Sequence, residues 1–194
     1  MSVQFAFGLQ KFGGMEYTGR ILGLSFAREL APTFTAVIVG GRIGSGMAAE
    51  VGAMAVTEQI DAILALGADP LKKLVLPRLV ASVIVMPILS AYALVLGFSG
   101  AMFITQMEFG IPWEFFLSSG LGSLGMIDFI SGIFKTPFFG ALIALVGCYF
   151  GLHTRGGTAG VGNSTTRTVV VISIAILIAD FILTKVAITI FPAL

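Results

Sequence analysis

From Leu79 to Met107 the chain carries no charged side chain at all. A bilayer crossing needs about 20 mostly apolar residues, and this run exceeds that. Three more stretches read as spans: Thr136 to Thr154, Thr168 to the C-terminus, broken by Asp180 and Lys185, and Leu22 to Ala49, which contains Arg28, Glu29 and Arg42 and is free of charge only from Leu30 to Gly41. The rest of the composition agrees, with 57% hydrophobic and only 11% charged residues in 194. A soluble domain carries roughly 25% charge and must cover its surface with polar groups, so soluble and disordered classes are excluded. An outer-membrane barrel alternates apolar and polar residues, which these unbroken runs do not. The expected fold is all-α, a single polytopic helical membrane domain over residues 1–194.

The distribution of basic residues sets the expected orientation. Arg42, Lys72, Lys73 and Arg78 fall in one segment, and Arg155 and Arg167 in the loop from His153 to Arg167. Both are placed on the cytoplasmic side. The segment from Glu108 to Ile127 has no Lys or Arg and is expected as an external loop. The C-terminus is expected outside, as is Lys11 to Arg28 despite its basic residues. Ser2 to Gln10 is apolar but only half a span long, and reads as the tail of a helix that begins earlier in a longer protein.

Between the first two spans lies Thr57 to Leu66 (TEQIDAILAL), too short to cross. Thr57 is the expected N-cap, Glu58 the expected first-turn acid, and Gly67 followed by Pro70 the expected stop. Such a helix lies on the membrane surface or docks a cytoplasmic partner. Surface helices carry Lys and Arg to meet anionic lipid. Glu58 and Asp61 favour the protein partner.

Ionisable residues inside spans are costly and are functional candidates. Asp128 and Lys135 are seven apart, hence on one helical face, but about 10 Å apart along it and unable to pair directly. Lys135 is expected within the outer leaflet, where it either attracts an anionic head group or snorkels to the outer interface; removing its charge by Lys135→Ala is expected to leave the protein folded. Arg28 and Glu29 are adjacent and point different ways, so each needs a partner elsewhere, and Pro32 fits the first turn of a helix they open. Asp180 is expected to pair with another span as a structural charge. The spacing of Gly40, Gly44 and Ala48 suits close helix packing.

Other features carry less. GGRIGSGM and GGTAGVGNSTT lack the Gly-Lys-Ser/Thr end of a P-loop. No basic stripe suggests nucleic acid. One Cys and one His are too few for a zinc site; Cys148 reads as a small packed side chain and His153 as structural. No catalytic constellation is visible, so no enzyme activity is expected.

Three stretches, in order along the chain, are similar to one family. They are ARELAPTFTAVIVGGRIGSGMAAEVGAMAVTEQIDAILALGADPLKKLVLPR (Ala27 to Arg78), DFISGIFK (Asp128 to Lys135) and GGTAGVGNSTTRTVV (Gly156 to Val170). The chain thereby resembles the MlaE/YrbE permeases of lipid ABC transporters that work with MCE-domain proteins. That resemblance implies the MlaE-type permease fold and a homodimer in the bacterial inner membrane, bound to two cytoplasmic ABC ATPases and a periplasmic MCE ring. ATP and Mg would sit on the ATPase, and no cofactor on this chain. The resemblance makes Thr57, Glu58, Gln59, Ile60, Asp61 and Ala62 part of the ATPase-coupling helix. It associates Arg28, Glu29 and Lys135, and less firmly Asp128, with a lipid cavity, and it implies phospholipid cargo. It also implies a first span ahead of the REL-P element, of which Ser2 to Gln10 is the tail. The competing readings are an ion-gradient-driven secondary transporter and a structural membrane scaffold. The cues of an ion-driven carrier, inverted repeats and broken midplane helices, are not evident in the sequence.

Overall fold

The computed structural model describes residues 2–14 and 17–190. Seven helices occur among them: α1 (Ser2–Lys11), α2 (Thr18–Val56), α3 (Gln59–Ala65), α4 (Leu71–Phe109), α5 (Trp113–Ser123), α6 (Met126–Leu152) and α7 (Gly157–Ile190). Four of them, α2, α4, α6 and α7, are long and apolar enough to cross a membrane. They correspond to the four expected spans, each longer than its apolar run. The last four residues of the final predicted span lie outside the described residues.

The four spans share one core. Ala36 of α2, Met86 of α4, Phe139 and Ile143 of α6, and Ile172 and Ile176 of α7 are all fully or almost fully buried against one another. Small residues set how close the helices come. A Cβ on Gly44 of α2 would collide with Ile172 of α7. One on Gly147 of α6 would lie 2.8 Å from the Gly44 carbonyl, and Ala48 is fully buried. The Gly40, Gly44 and Ala48 spacing therefore does pack helices closely. Cys148 is buried in α6, as a small apolar residue should be. His153 ends α6, its Nδ1 2.8 Å from the Tyr149 carbonyl and its ring stacked on Tyr149.

Several expectations are corrected. Pro32 does not open a helix: α2 is continuous from Thr18, and Pro32 sits inside it. A π turn at Phe26–Leu30, in which Ala31 N–H reaches the Phe26 carbonyl, widens the helix just before the proline. Arg42 lies exposed on α2 rather than in a connecting segment, and Arg167 lies on α7, which begins ten residues earlier at Gly157. The Glu108 to Ile127 segment is not simply a loop, because α5 fills its middle. At about 16 Å this helix is too short to span. It packs on α2 where side chains are missing: a Cβ on Gly19 would lie 2.7 Å from the Phe116 carbonyl. Phe116 joins Leu22, Ala101 and Ile111 in a second buried cluster beneath it.

Gly140 of α6 lies against α4, and a Cβ there would come 2.5 Å from the Ser82 carbonyl. Backbone cannot step aside cheaply. Gly140→Ala is expected to destabilise the bundle by about 1–3 kcal/mol. Gly46→Ala, where nothing lies within 4 Å, should leave stability unchanged or slightly raised. Thermal unfolding of the two variants in detergent checks the contrast.

Candidate functional site

The intramembrane charges converge. Arg28 and Glu29 lie in the π turn of α2, Asp128 and Lys135 on α6, and Asp180 on α7. Asp128 serves two helices. Its Oδ2 accepts the Gly125 backbone N–H at 2.8 Å, capping the start of α6. Its Oδ1 accepts Arg28 Nε at 2.7 Å, and Nη2 of the same guanidinium bonds that oxygen too. Arg28 and Glu29 thus each find a partner on another span, as their divergent directions require.

Lys135 is the hub. Its ammonium lies 2.9 Å from Glu29 Oε1, 3.3 Å from Asp180 Oδ1, 2.7 Å from Thr184 Oγ1 and 3.2 Å from the Arg28 carbonyl. That carbonyl is one that an uninterrupted α-helix would bond to the N–H of residue 32. Pro32 has no N–H to give, so the lysine of another helix supplies the donor. Three ammonium hydrogens face four acceptors, and the residue is only 4% exposed. Lys135 therefore does not snorkel: its ammonium is held by acceptors within the protein. Gly132, one turn before it, lets α6 approach the π turn, since a Cβ there would collide with the Ala27 carbonyl. Asp128, Gly132 and Lys135 form one stripe facing α2.

Thr184 was not singled out from sequence. It accepts from Lys135 and lies 3.2 Å and 3.3 Å from the two Glu29 oxygens. Its signal was available: it lies four residues after Asp180 and so shares its helical face. Beside this cluster α6 and α7 part to leave a groove of about 430 Å³, lined by apolar side chains such as Phe134, Leu183 and Val186 with Lys135 and Ser131 at its edge. Polar charges thus border an apolar trough.

A second candidate lies at the opposite end of α2. The expected helix from Thr57 to Leu66 is present but shorter, Gln59–Ala65. Thr57 is not its N-cap: it closes α2, donating from Oγ1 to the Ala53 carbonyl at 2.8 Å, while Gln59 Nε2 donates back to Thr57 Oγ1 at 3.0 Å. Glu58 precedes the helix with φ 62, in the left-handed region. Its chain reversal ends α2 before α3 can start. The predicted stop at Gly67 is present: φ is 74, its N–H bonds the Leu64 carbonyl and that of Ala68 bonds the Ile63 carbonyl. Ile60 and Ile63 are half-buried, and Asp61 and Ala62 are exposed. Leu64 and Leu66 are 55% and 85% exposed. The next helix is capped by Asp69, whose Oδ1 accepts the Leu71 N–H at 2.9 Å.

The sequence pattern described as "Permease MlaE" matches residues 1–186. A probable ABC transporter permease protein of Synechocystis is 42% identical over 182 residues, covering 94% of this chain and 69% of its own. The chloroplastic protein TRIGALACTOSYLDIACYLGLYCEROL 1 of Arabidopsis thaliana is 38% identical over 184 residues, covering 95% of this chain and 53% of its own. A probable ABC transporter permease protein of Rickettsia typhi is 37% identical over 185 residues, covering 95% and 71%. The chain thus spans from about half to about seven tenths of the length of these relatives.

Removing Lys135 strands Glu29 and Asp180 without a cation. Lys135→Ala is therefore expected to destabilise the bundle by about 3–5 kcal/mol, rather than to leave the fold intact. Adding Asp180→Asn to it should recover part of that loss. Unfolding free energies of both single variants and the double variant decide it; additive losses would disprove the coupling.

Proposed function

The chain belongs to the MlaE permease family, as the permease subunit of an ABC transporter, and on that premise we propose that its cargo is a phospholipid. The observation that carries this reading is the cluster of charges in the outer half of the bundle, bordered by an apolar groove. An amphiphile needs both: polar groups for a head group and apolar walls for acyl chains. The name of the Arabidopsis thaliana relative refers to a glycerolipid, which points the same way.

In this reading two copies of the chain pair in the inner membrane around a shared cavity. Arg28 and Glu29, 30% and 39% exposed in their side chains, form its polar rim. Asp128 and Lys135 hold that rim in place from α6, and Asp180 braces Lys135 from α7. A separate cytoplasmic ATPase binds ATP and Mg and docks on α3 through Leu64 and Leu66. Its closure moves α3, and the movement passes along α2 to the rim. An MCE-domain protein on the far side receives or delivers the lipid on its way between the inner membrane and the outer membrane. An ion-driven carrier would leave the exposed leucines of α3 without a purpose.

Leu64→Asp and Leu66→Asp together should reduce co-purification of the ATPase at least tenfold, because apolar anchors at such interfaces contribute about 2 kcal/mol or more each. The thermal stability of the four-span bundle should not change. Transfer of labelled phospholipid from proteoliposomes holding the assembled complex should require ATP. Transfer that persists without ATP, or a wild-type chain that recruits no ATPase, would overturn the reading.

A further inference from the structure

The charges in the cluster do not balance. Arg28 and Lys135 bring two positive charges, whereas Glu29, Asp128 and Asp180 bring three negative ones, so one negative charge is left over when all are ionised. The geometry shows where the excess lies. Asp128 has Arg28 and the Gly125 N–H, and its side chain is 9% exposed. Asp180 is 16% exposed and must share Lys135 with Glu29. Glu29 is 39% exposed, and its Oε2 faces only the Thr184 hydroxyl at 3.3 Å, whose single proton also faces Oε1. The next charge along α7, Lys185, turns away to line a different groove with Phe181 and Thr189. Lys135 meets Glu29 at Oε1 but is shared with Asp180, and a half-open carboxylate within a membrane span is costly where its charge is only partly met.

From this imbalance we infer that Glu29 is a head-group selector, taking the ammonium of an amine-bearing phospholipid such as a phosphatidylethanolamine. The inference rests on the phospholipid reading above. A divalent metal fits poorly, because such ions take six or more oxygens and the described residues contain no group of three or more His, Cys, Asp or Glu able to hold one. A zwitterionic head group fits better. Its ammonium completes the charge at Glu29, and its phosphate lies toward the Arg28 guanidinium one residue away. A purely anionic head group brings a second negative charge to a site that already has one too many.

The test uses the assembled transporter in nanodiscs of equimolar phosphatidylethanolamine and phosphatidylglycerol, re-purified in mild detergent, with bound lipid quantified by mass spectrometry. The wild type should hold the amine lipid in about fivefold preference. Glu29→Gln should bring that ratio to about one, whatever the total phospholipid retained, and Glu29→Asp should keep the preference. N-acetylated phosphatidylethanolamine, which has no ammonium, tests the wild type without any substitution and should be bound no better than phosphatidylglycerol. A wild-type ratio of one, an unchanged ratio in Glu29→Gln, or full binding of the acetylated lipid would each overturn the selector role and leave the lipid reading standing. A wild-type transporter that retains no phospholipid of either kind would overturn both.

Discussion

Charges inside a membrane span must be neutralised by other parts of the protein, and this bundle is arranged around that requirement. Lys135, on α6, draws α2 and α7 to it by bonding two acceptors on each. Asp128 ties the start of α6 to α2 through Arg28. Isolated salt bridges in water contribute little, but a buried network cannot lose one member without stranding the others. One end of the bundle is fixed by this network, whereas its middle relies on the apolar core around Phe139 and Ile172.

The backbone of α2 is shaped to receive that network. Pro32 removes a donor, the π turn before it widens the helix, and Gly132 on α6 removes the side chain that would otherwise hold the helices apart. Lys135 then donates to the Arg28 carbonyl. Three local irregularities on two helices thus fit one another. Each taken alone is a helix-weakening feature; together they let this proline lie inside α2 while Lys135 partners the Arg28 carbonyl.

Much of this was legible in the sequence, and the exceptions share a cause. The spans followed from apolar runs, and the partners of Arg28 and Glu29 on other helices followed from their divergent directions. Hydropathy could not reveal how far the helices extend beyond their apolar runs: α2 runs from Thr18 to Val56, and α7 begins at Gly157 and passes through Arg167, where the apolar run starts only at Thr168. Helix α5 was missed because it is too short to span and lacks basic residues, although the Gly19 and Gly23 spacing on α2 marked a close-packing face. The burial of Lys135 was misjudged because spacing within one helix cannot say what faces it. Thr57 has the right side chain for an N-cap, but the left-handed Glu58 placed it at the end of the preceding helix instead.

The two candidate regions are joined by a single rod. Helix α2 carries Glu29 near one end and delivers the chain directly to α3 at the other, about 40 Å away. A second π turn, Gly40–Gly44, interrupts it roughly midway. With that turn as a fulcrum, a tilt of about 5° swings the Glu29 end, some 17 Å distant, through about 1.5 Å. Hydrogen bonds weaken over a shorter distance than that. Small-angle leverage at the α3 end of this rod is therefore sufficient to make or break the grip of Lys135 on Glu29, with no helix needing to unwind.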